Sequence, residues 1–227
     1  MSLAPYADLN LGTHVGDDPR AVATNRDRLL RALPPRSSIA WMRQVHGARV
    51  VEAAPGVGVP PKADGCWTHA PGIVCAVMTA DCLPVLLVDE AGSAVAAVHV
   101  GWRGLAGGVL EAALGALKLD PNSLLAWLGP AIGPNAFEIG DEVRETIVRA
   151  QPPALIPELT AYFRPSSRSG FWYADLPGLA QRRLRALGVA LIEVDGRCTV
   201  EDPRTFFSYR RDGVTGRMAS LILRLDT

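Results

Sequence analysis

Residues 73–104 read IVCAVMTADCLPVLLVDEAGSAVAAVHVGWRG, and this stretch decides the fold class. It holds three short apolar runs rich in β-branched residues: Ile73 to Met78, Leu83 to Val88 and Ala94 to Val100. Each has the length of a strand rather than a helix. The segment Asp89-Glu-Ala-Gly-Ser93 separates the last two and suits a hairpin turn. None of the runs alternates cleanly between apolar and polar residues, which predicts strands covered on both faces.

Outward from this core, Leu105, Val109, Ala113, Leu114 and Leu117 recur at helical spacing, so a helix is expected after Arg103. Gly107 and Gly108 weaken its first turn. Ala126 to Leu128 reads as a strand running into the Gly-Pro-Ala-Ile-Gly-Pro loop at 129–134. Asp141 opens a second helix to about Ala150, its acidic residues well placed for a helix N-terminus. Gln151 to Ser169 is rich in Pro and Ser and reads as a loop. Leu176 to Leu187 is a third helix closed by Gly188, Val189 to Val194 a strand, and Arg217 to Leu225 a final strand. Strands and helices mix without a βαβ rhythm. The expected class is therefore α+β, or α/β with mixed β-sheets, as one domain over residues 1–227.

Composition narrows the function classes. The chain has 227 residues, 48% of them hydrophobic, enough for a substantial core. Lys and Arg number 23 and Asp and Glu 23, so the basic excess that marks a nucleic-acid binder is missing. No apolar run reaches the roughly 18 residues of a membrane span, and the N-terminus lacks the pattern of a secretory signal. A cytoplasmic protein without nucleic-acid or membrane partners is expected, monomeric or weakly dimeric. Cys66, Cys75, Cys82 and Cys198 are accordingly read as thiols.

Among four histidines, two stand out by position. His46 lies in Gln44-Val-His-Gly47, and His99 at the end of an apolar strand. Cys82 begins another strand. Two imidazoles and one thiolate at strand ends match a three-ligand zinc site with an open fourth position. The sequence separations are long, so no local ligand motif joins them. Three readings stay open on chemistry alone: a metal site, a Cys82–His99 nucleophile–base pair, and packed core side chains.

Further candidates surround these. Arg103 stands at the expected helix start, where a guanidinium and helix N–H groups suit phosphate; the alternative is an ion pair with Asp81 or Asp64. Asp64 is read as orienting a ligand histidine or accepting a proton, against a plain turn before Gly65. Asp81, next to Cys82, is read as structural. Arg210 or Arg211 would reach an anionic substrate group, and Asn10 would donate to substrate. His14, followed by Val-Gly-Asp-Asp, is read as a surface residue with lining of the site as the alternative, and His69 as a surface residue. Trp102 and Phe207 offer faces for a base or belong to the core.

The strings QVHG, KADG, TADCLPVLLVD, AVHVGWRG, GPAIGPNAFEIG and FFSYRRDGVTGRMASLI resemble the YfiH/PgeF family, also labelled polyphenol oxidoreductase, laccase, purine nucleoside phosphorylase and peptidoglycan editing factor. The resemblance runs from Asn10 to the C-terminus. It implies a layered α/β/β/α sandwich and zinc held by His46, Cys82 and His99. Val100, Cys66 and Trp67 depart from the family pattern without touching those ligands. The implied activity is phosphorolysis of adenosine, inosine and methylthioadenosine, with adenosine deamination in the same site. Cys82, Asp64 and Arg103 would then be catalytic, and Asn10, Arg103 and Arg210 would bind purine nucleosides and phosphate. A second implied activity is hydrolysis of L-Ser from a UDP-muramoyl peptidoglycan precursor, with Cys82 or a zinc-bound hydroxide attacking the amide and His99 as partner. A copper laccase is the third. Two His and one Cys are a blue-copper donor set, but four histidines are too few for a multicopper centre.

Overall fold

A computed structural model describes residues 1–54, 58–150 and 156–225. Its organising element is a six-stranded mixed sheet built from Val50–Glu52 (β2), Gly65–Thr68 (β3), Leu83–Asp89 (β5), Val95–Val100 (β6), Leu124–Leu128 (β7) and Leu191–Val194 (β11). The strand order is β11-β7-β5-β6-β3-β2. The two outer pairs, β11–β7 and β3–β2, are parallel and the inner ones antiparallel. Ser38–Ala40 (β1), Ile73–Thr79 (β4) and Met218–Leu223 (β12) form a second, three-stranded sheet in the order β1-β4-β12.

Side-chain alternation stacks these sheets. On β4, Cys75 and Val77 join an apolar cluster with Cys66 of β3 and with Val95 and Ala97 of β6, filling the space between the sheets. The intervening Val74 and Ala76 point the other way and pack with Leu29 and Leu33. Leu29 lies on the helix Pro19–Arg31 (α1), which Asp18 caps by accepting from Arg20 N–H. On the far face of the large sheet, Leu83, Val85 and Leu87 of β5 and Ala96 and Val98 of β6 pack against helices. Those helices are Trp102–Ala106 (α2), Val109–Leu117 (α3) and Leu176–Ala186 (α6). The result is the expected α/β/β/α layering, and the evenly apolar runs are indeed covered on both sides.

Several expectations needed correction. The helix after Arg103 begins one residue earlier and splits in two, because Gly108 takes a left-handed φ of 82° and starts α3 afresh. The loop expected over 151–169 lies partly outside the described residues, at 151–155. The remainder carries Ile156–Leu159 (α5), a 3-10 turn and Phe163–Pro165 (β9). Phe171–Ala174 (β10), unforeseen, pairs with β9 and with Glu138–Gly140 (β8) in a small antiparallel sheet. The helix Asp141–Arg149 (α4) lies where expected. Tyr209–Asp212 (α7) is a single turn capped by Ser208.

The layering also places the cleft. β4 belongs to the small sheet and β5 to the large one, so the chain crosses between layers at residues 80–82. Gln44 braces the end of β4 by donating to Met78 O at 2.8 Å and accepting from Met78 N at 2.7 Å. Leu87 is fully buried in the central strand. Leu87→Ala is expected to cost about 2–5 kcal/mol, read as a lower urea midpoint at unchanged slope; a loss under about 0.5 kcal/mol would contradict this packing.

Candidate metal centre

Asp64 is fully buried just before β3 and organises the site. The consecutive N–H groups of Val45, His46 and Gly47 all donate to its carboxylate, His46 at 2.8 Å and Gly47 at 2.7 Å. Converging backbone amides of this kind form an anion-holding concavity. His46 takes a left-handed φ of 59° to make it. The same carboxylate lies 2.9 Å from His99 Nδ1, and the His99 N–H donates to Asp64 O at 2.6 Å. Asp64 therefore fixes both histidines, one through its backbone and one through its ring. With Nδ1–H turned to Asp64, His99 has Nε2 left as a lone-pair donor.

Cys82 completes the group. The donor atoms of His46, Cys82 and His99 all lie within 4.8 Å of one another, and they are the only such cluster among the described residues. The two rings meet edge to face with centroids 4.8 Å apart. Gly101 makes this approach sterically feasible, since a Cβ there would come within 3.1 Å of Cys82 Sγ and 3.2 Å of His46 Cδ2. This explains the glycine that opens the Gly-Trp-Arg-Gly string.

The electrostatics suit a cation. Burial alone would raise the Cys82 thiol, but hydrogen bonds and charge from His46 and His99 outweigh it and bring the thiol down to about 6. Burial likewise works against a charged His99, yet Asp64 and Cys82 hold it up at about 9. Asp64 stays below the usual carboxylate range because His99 and the Gly47 and Val45 amides outweigh its burial. One cysteine sulfur and two imidazole rings are gathered in one place, and the set fits a single metal ion, whose binding would displace the second His99 proton.

The cluster lies in a cleft of about 510 Å³. Arg103, Arg210 and Arg217 line it, and none has a carboxylate within ion-pair distance among the described residues. Arg103 lies over the Trp102 ring at 4.2 Å, and its guanidinium donates to no acceptor among the described residues. Arg210 donates to Ala136 O and Glu138 O, and its N–H to Asp81 at 2.6 Å. Asp81, at a φ of 97° and also on the cleft wall, accepts from the Thr199 hydroxyl at 2.6 Å, so both its oxygens are engaged by protein. Arg211 is spent on backbone carbonyls and Asp212.

Asn10 is not brought to the cleft. It is fully buried and its amide serves neighbouring backbone and Asp17. Asp64 has no exposure through which a substrate could reach it, which leaves it the orienting role. Sequence reasoning passed over Arg217, a half-buried cleft residue at the start of β12. His14, for which the sequence leaves surface and site-lining positions both open, is exposed and part of the cleft wall. Nothing in local sequence marks Arg217, since its position depends on the N-terminal segment meeting the start of β12.

Fold and cluster together define a layered α/β/β/α protein with a two-histidine, one-cysteine metal-type site in a cationic cleft. The family described as multi-copper polyphenol oxidoreductase laccase matches residues 1–225, and the chain belongs to this family, which includes the YfiH proteins. It is 50% identical over 226 residues to a Pseudomonas aeruginosa protein named purine nucleoside phosphorylase PA4543, covering 100% of this chain and 90% of that one. It is 47% identical over 222 residues to Escherichia coli purine nucleoside phosphorylase YfiH, covering 98% and 88%. The crystal structure of Neisseria meningitidis NMB0706 superposes with a TM-score of 0.92 at 46% identity, covering 100% of this chain and 90% of that one. YlmD from Geobacillus stearothermophilus gives 0.90 at 34%, covering 99% and 88%.

Two outcomes follow from this geometry. Asp64→Asn leaves an amide facing at least one backbone N–H, so it is expected to lower stability by about 1–3 kcal/mol and metal affinity about 10- to 100-fold; unchanged affinity by competition with a chelator would contradict the orienting role. In metal-free protein, Cys82 should be alkylated by iodoacetamide with a midpoint near pH 6, with Cys82→Ser as the blank. The depressed thiol adds stability above its unfolded pKa that is lost as pH falls through about 6, while the raised His99 adds stability below its unfolded pKa that is lost as pH rises through about 9. The two slopes oppose each other between about pH 6.5 and 9, so reactivity rather than melting reports the pair. An alkylation midpoint above pH 8 would contradict it.

Proposed function

We propose that this protein is a zinc-dependent purine nucleoside phosphorylase that also deaminates adenosine. The observation that carries the reading is the His46–Cys82–His99 cluster in a cleft lined by three guanidinium groups that have no carboxylate partner among the described residues. A cleft of about 510 Å³ suits a nucleoside-sized molecule. Its wall also offers the aromatic faces of Trp102, Phe137 and Tyr209, which serve a flat purine. Relatives bearing the phosphorylase name support the same reading.

Phosphorolysis joins a phosphate oxygen to the anomeric carbon of the ribose and breaks its bond to the base. It needs an anion held beside the sugar and a base able to leave with the bond electrons. The cleft's arginines meet the first need, Arg103 from beside Trp102 and Arg210 from the α7 side. Asp64 acts through His99, keeping its ring in one tautomer and orientation. When bound by His46, Cys82 and His99, zinc would supply Lewis acidity for departure of the base and for hydrolysis at the purine C6 amino group. Neither reaction changes oxidation state, which favours a redox-inert ion over copper.

Purified protein should contain one zinc per chain and release adenine from adenosine only when phosphate is present. Cys82→Ala and His46→Ala should each lower that activity at least about 100-fold. Phosphate-independent release, or full activity in both variants, would sink the proposal. Serine freed from UDP-MurNAc-L-Ser without any phosphorolysis would favour the amide hydrolase instead.

A further inference from the structure

The three cleft arginines are not equivalent. Arg103 and Arg210 are exposed, whereas Arg217 is half-buried. Arg217 is also the one held along its whole length. Its N–H donates to Asn10 Oδ1 at 2.8 Å, and its carbonyl accepts from Leu11 N–H at 3.1 Å. Its Cγ lies where a Cβ on Gly12 would come within 2.8 Å, so the N-terminal segment packs flat against its stem. Its Nη1 is anchored to the carbonyls of Thr215 at 3.1 Å and Gly216 at 2.9 Å. Nε and Nη2 donate to nothing among the described residues. Arg217 lines the same cleft wall as His46, Cys82 and His99. Both Asp81 oxygens are already engaged, by Thr199 and by Arg210 N–H.

Asn10 explains how this is built. Oδ1 accepts from Gly12 and Arg217 N–H, while Nδ2 donates to Asp17 at 2.9 Å. Asn25 of α1 donates to Asn10 O at 2.9 Å. One buried amide therefore clamps the N-terminal segment that carries His14 to the start of β12. A guanidinium immobilised before ligand arrives loses little freedom on binding and keeps its geometry, unlike a side chain free to swing.

We infer that Arg217, positioned by Asn10 and Gly12, is the fixed oxyanion anchor of the cleft, and that inorganic phosphate is its ligand. The second half of this inference rests on the phosphorolysis reading. Arg103 then closes over the anion from the α2 side, and the guanidinium fork of Arg217 meets it with the two nitrogens the protein leaves unused.

The test is steady-state kinetics of zinc-loaded Arg217→Gln and Gly12→Ala proteins with adenosine and phosphate. The Michaelis constant for phosphate should rise at least about 10-fold in Arg217→Gln, while that for adenosine stays within about twofold and zinc remains at one per chain. Gly12→Ala, which displaces the arginine stem, should move the same constant in the same direction. Arg217→Lys, with charge but no fork, should fall between, and it keeps the test alive where the glutamine variant does not fold. An unchanged phosphate constant, or a parallel rise in both constants, would overturn the anchor. Calorimetric titration of inorganic phosphate into wild-type and Arg217→Gln protein separates this from the reaction itself. Binding that the variant loses upholds the anchor even where no adenine is released; equal binding by both proteins overturns it even where phosphorolysis proceeds.

Discussion

A single buried carboxylate governs this structure. Asp64 has no solvent contact and would be costly as an isolated charge. It is made tolerable by the Val45, His46 and Gly47 amides together with the His99 ring. Those partners are the turn that carries one candidate ligand and the ring of another. Satisfying one charge thus sets the relative position of two histidines that lie 53 residues apart in sequence, from 46 to 99. The third donor needs no such device. Cys82 sits where the chain crosses from the small sheet to the large one, and the crossing itself delivers it.

The fold explains why the cleft is where it is. Two stacked sheets are filled between by Cys66, Cys75, Val77, Val95 and Ala97. His99 continues the inward-facing register of Val95 and Ala97 on β6, but at the end of the strand, where the filling stops. The strand ends, the 80–82 crossing and the α7 turn converge there. A polar site is thereby set against a rigid apolar frame, and Cys82 and His99 hold opposite charges there against the cost of burial, through each other and through His46 and Asp64.

Much of this was legible in sequence. The evenly apolar runs at 73–78, 83–88 and 94–100 stated their double burial directly, and the strands fall within a residue or so of those limits. His46, Cys82 and His99 were legible as a donor set, and resemblance to the YfiH family joined what spacing left apart. Other features were not legible because they depend on tertiary meetings. Asn10 resembled a substrate donor, yet it is consumed in holding Arg217, a residue 207 positions away. Arg217 read only as the start of a strand because no local pattern shows that the N-terminal segment meets it beside the cleft. The short strands β1, β2, β8, β9 and β10 have three or four residues each, too few for a period to show. Gly108 split a helix whose apolar spacing ran straight through it, since backbone handedness is invisible to hydrophobic periodicity.

The central claim is that Asp64 preorganises His46, Cys82 and His99 as a three-donor zinc site. Its most direct measurement is zinc K-edge X-ray absorption on protein reconstituted with one equivalent of zinc. The account predicts one sulfur at about 2.3 Å and two imidazole nitrogens at about 2.0–2.1 Å, with a light atom in the remaining position. A first shell without sulfur, or one with two or more sulfurs, would contradict it.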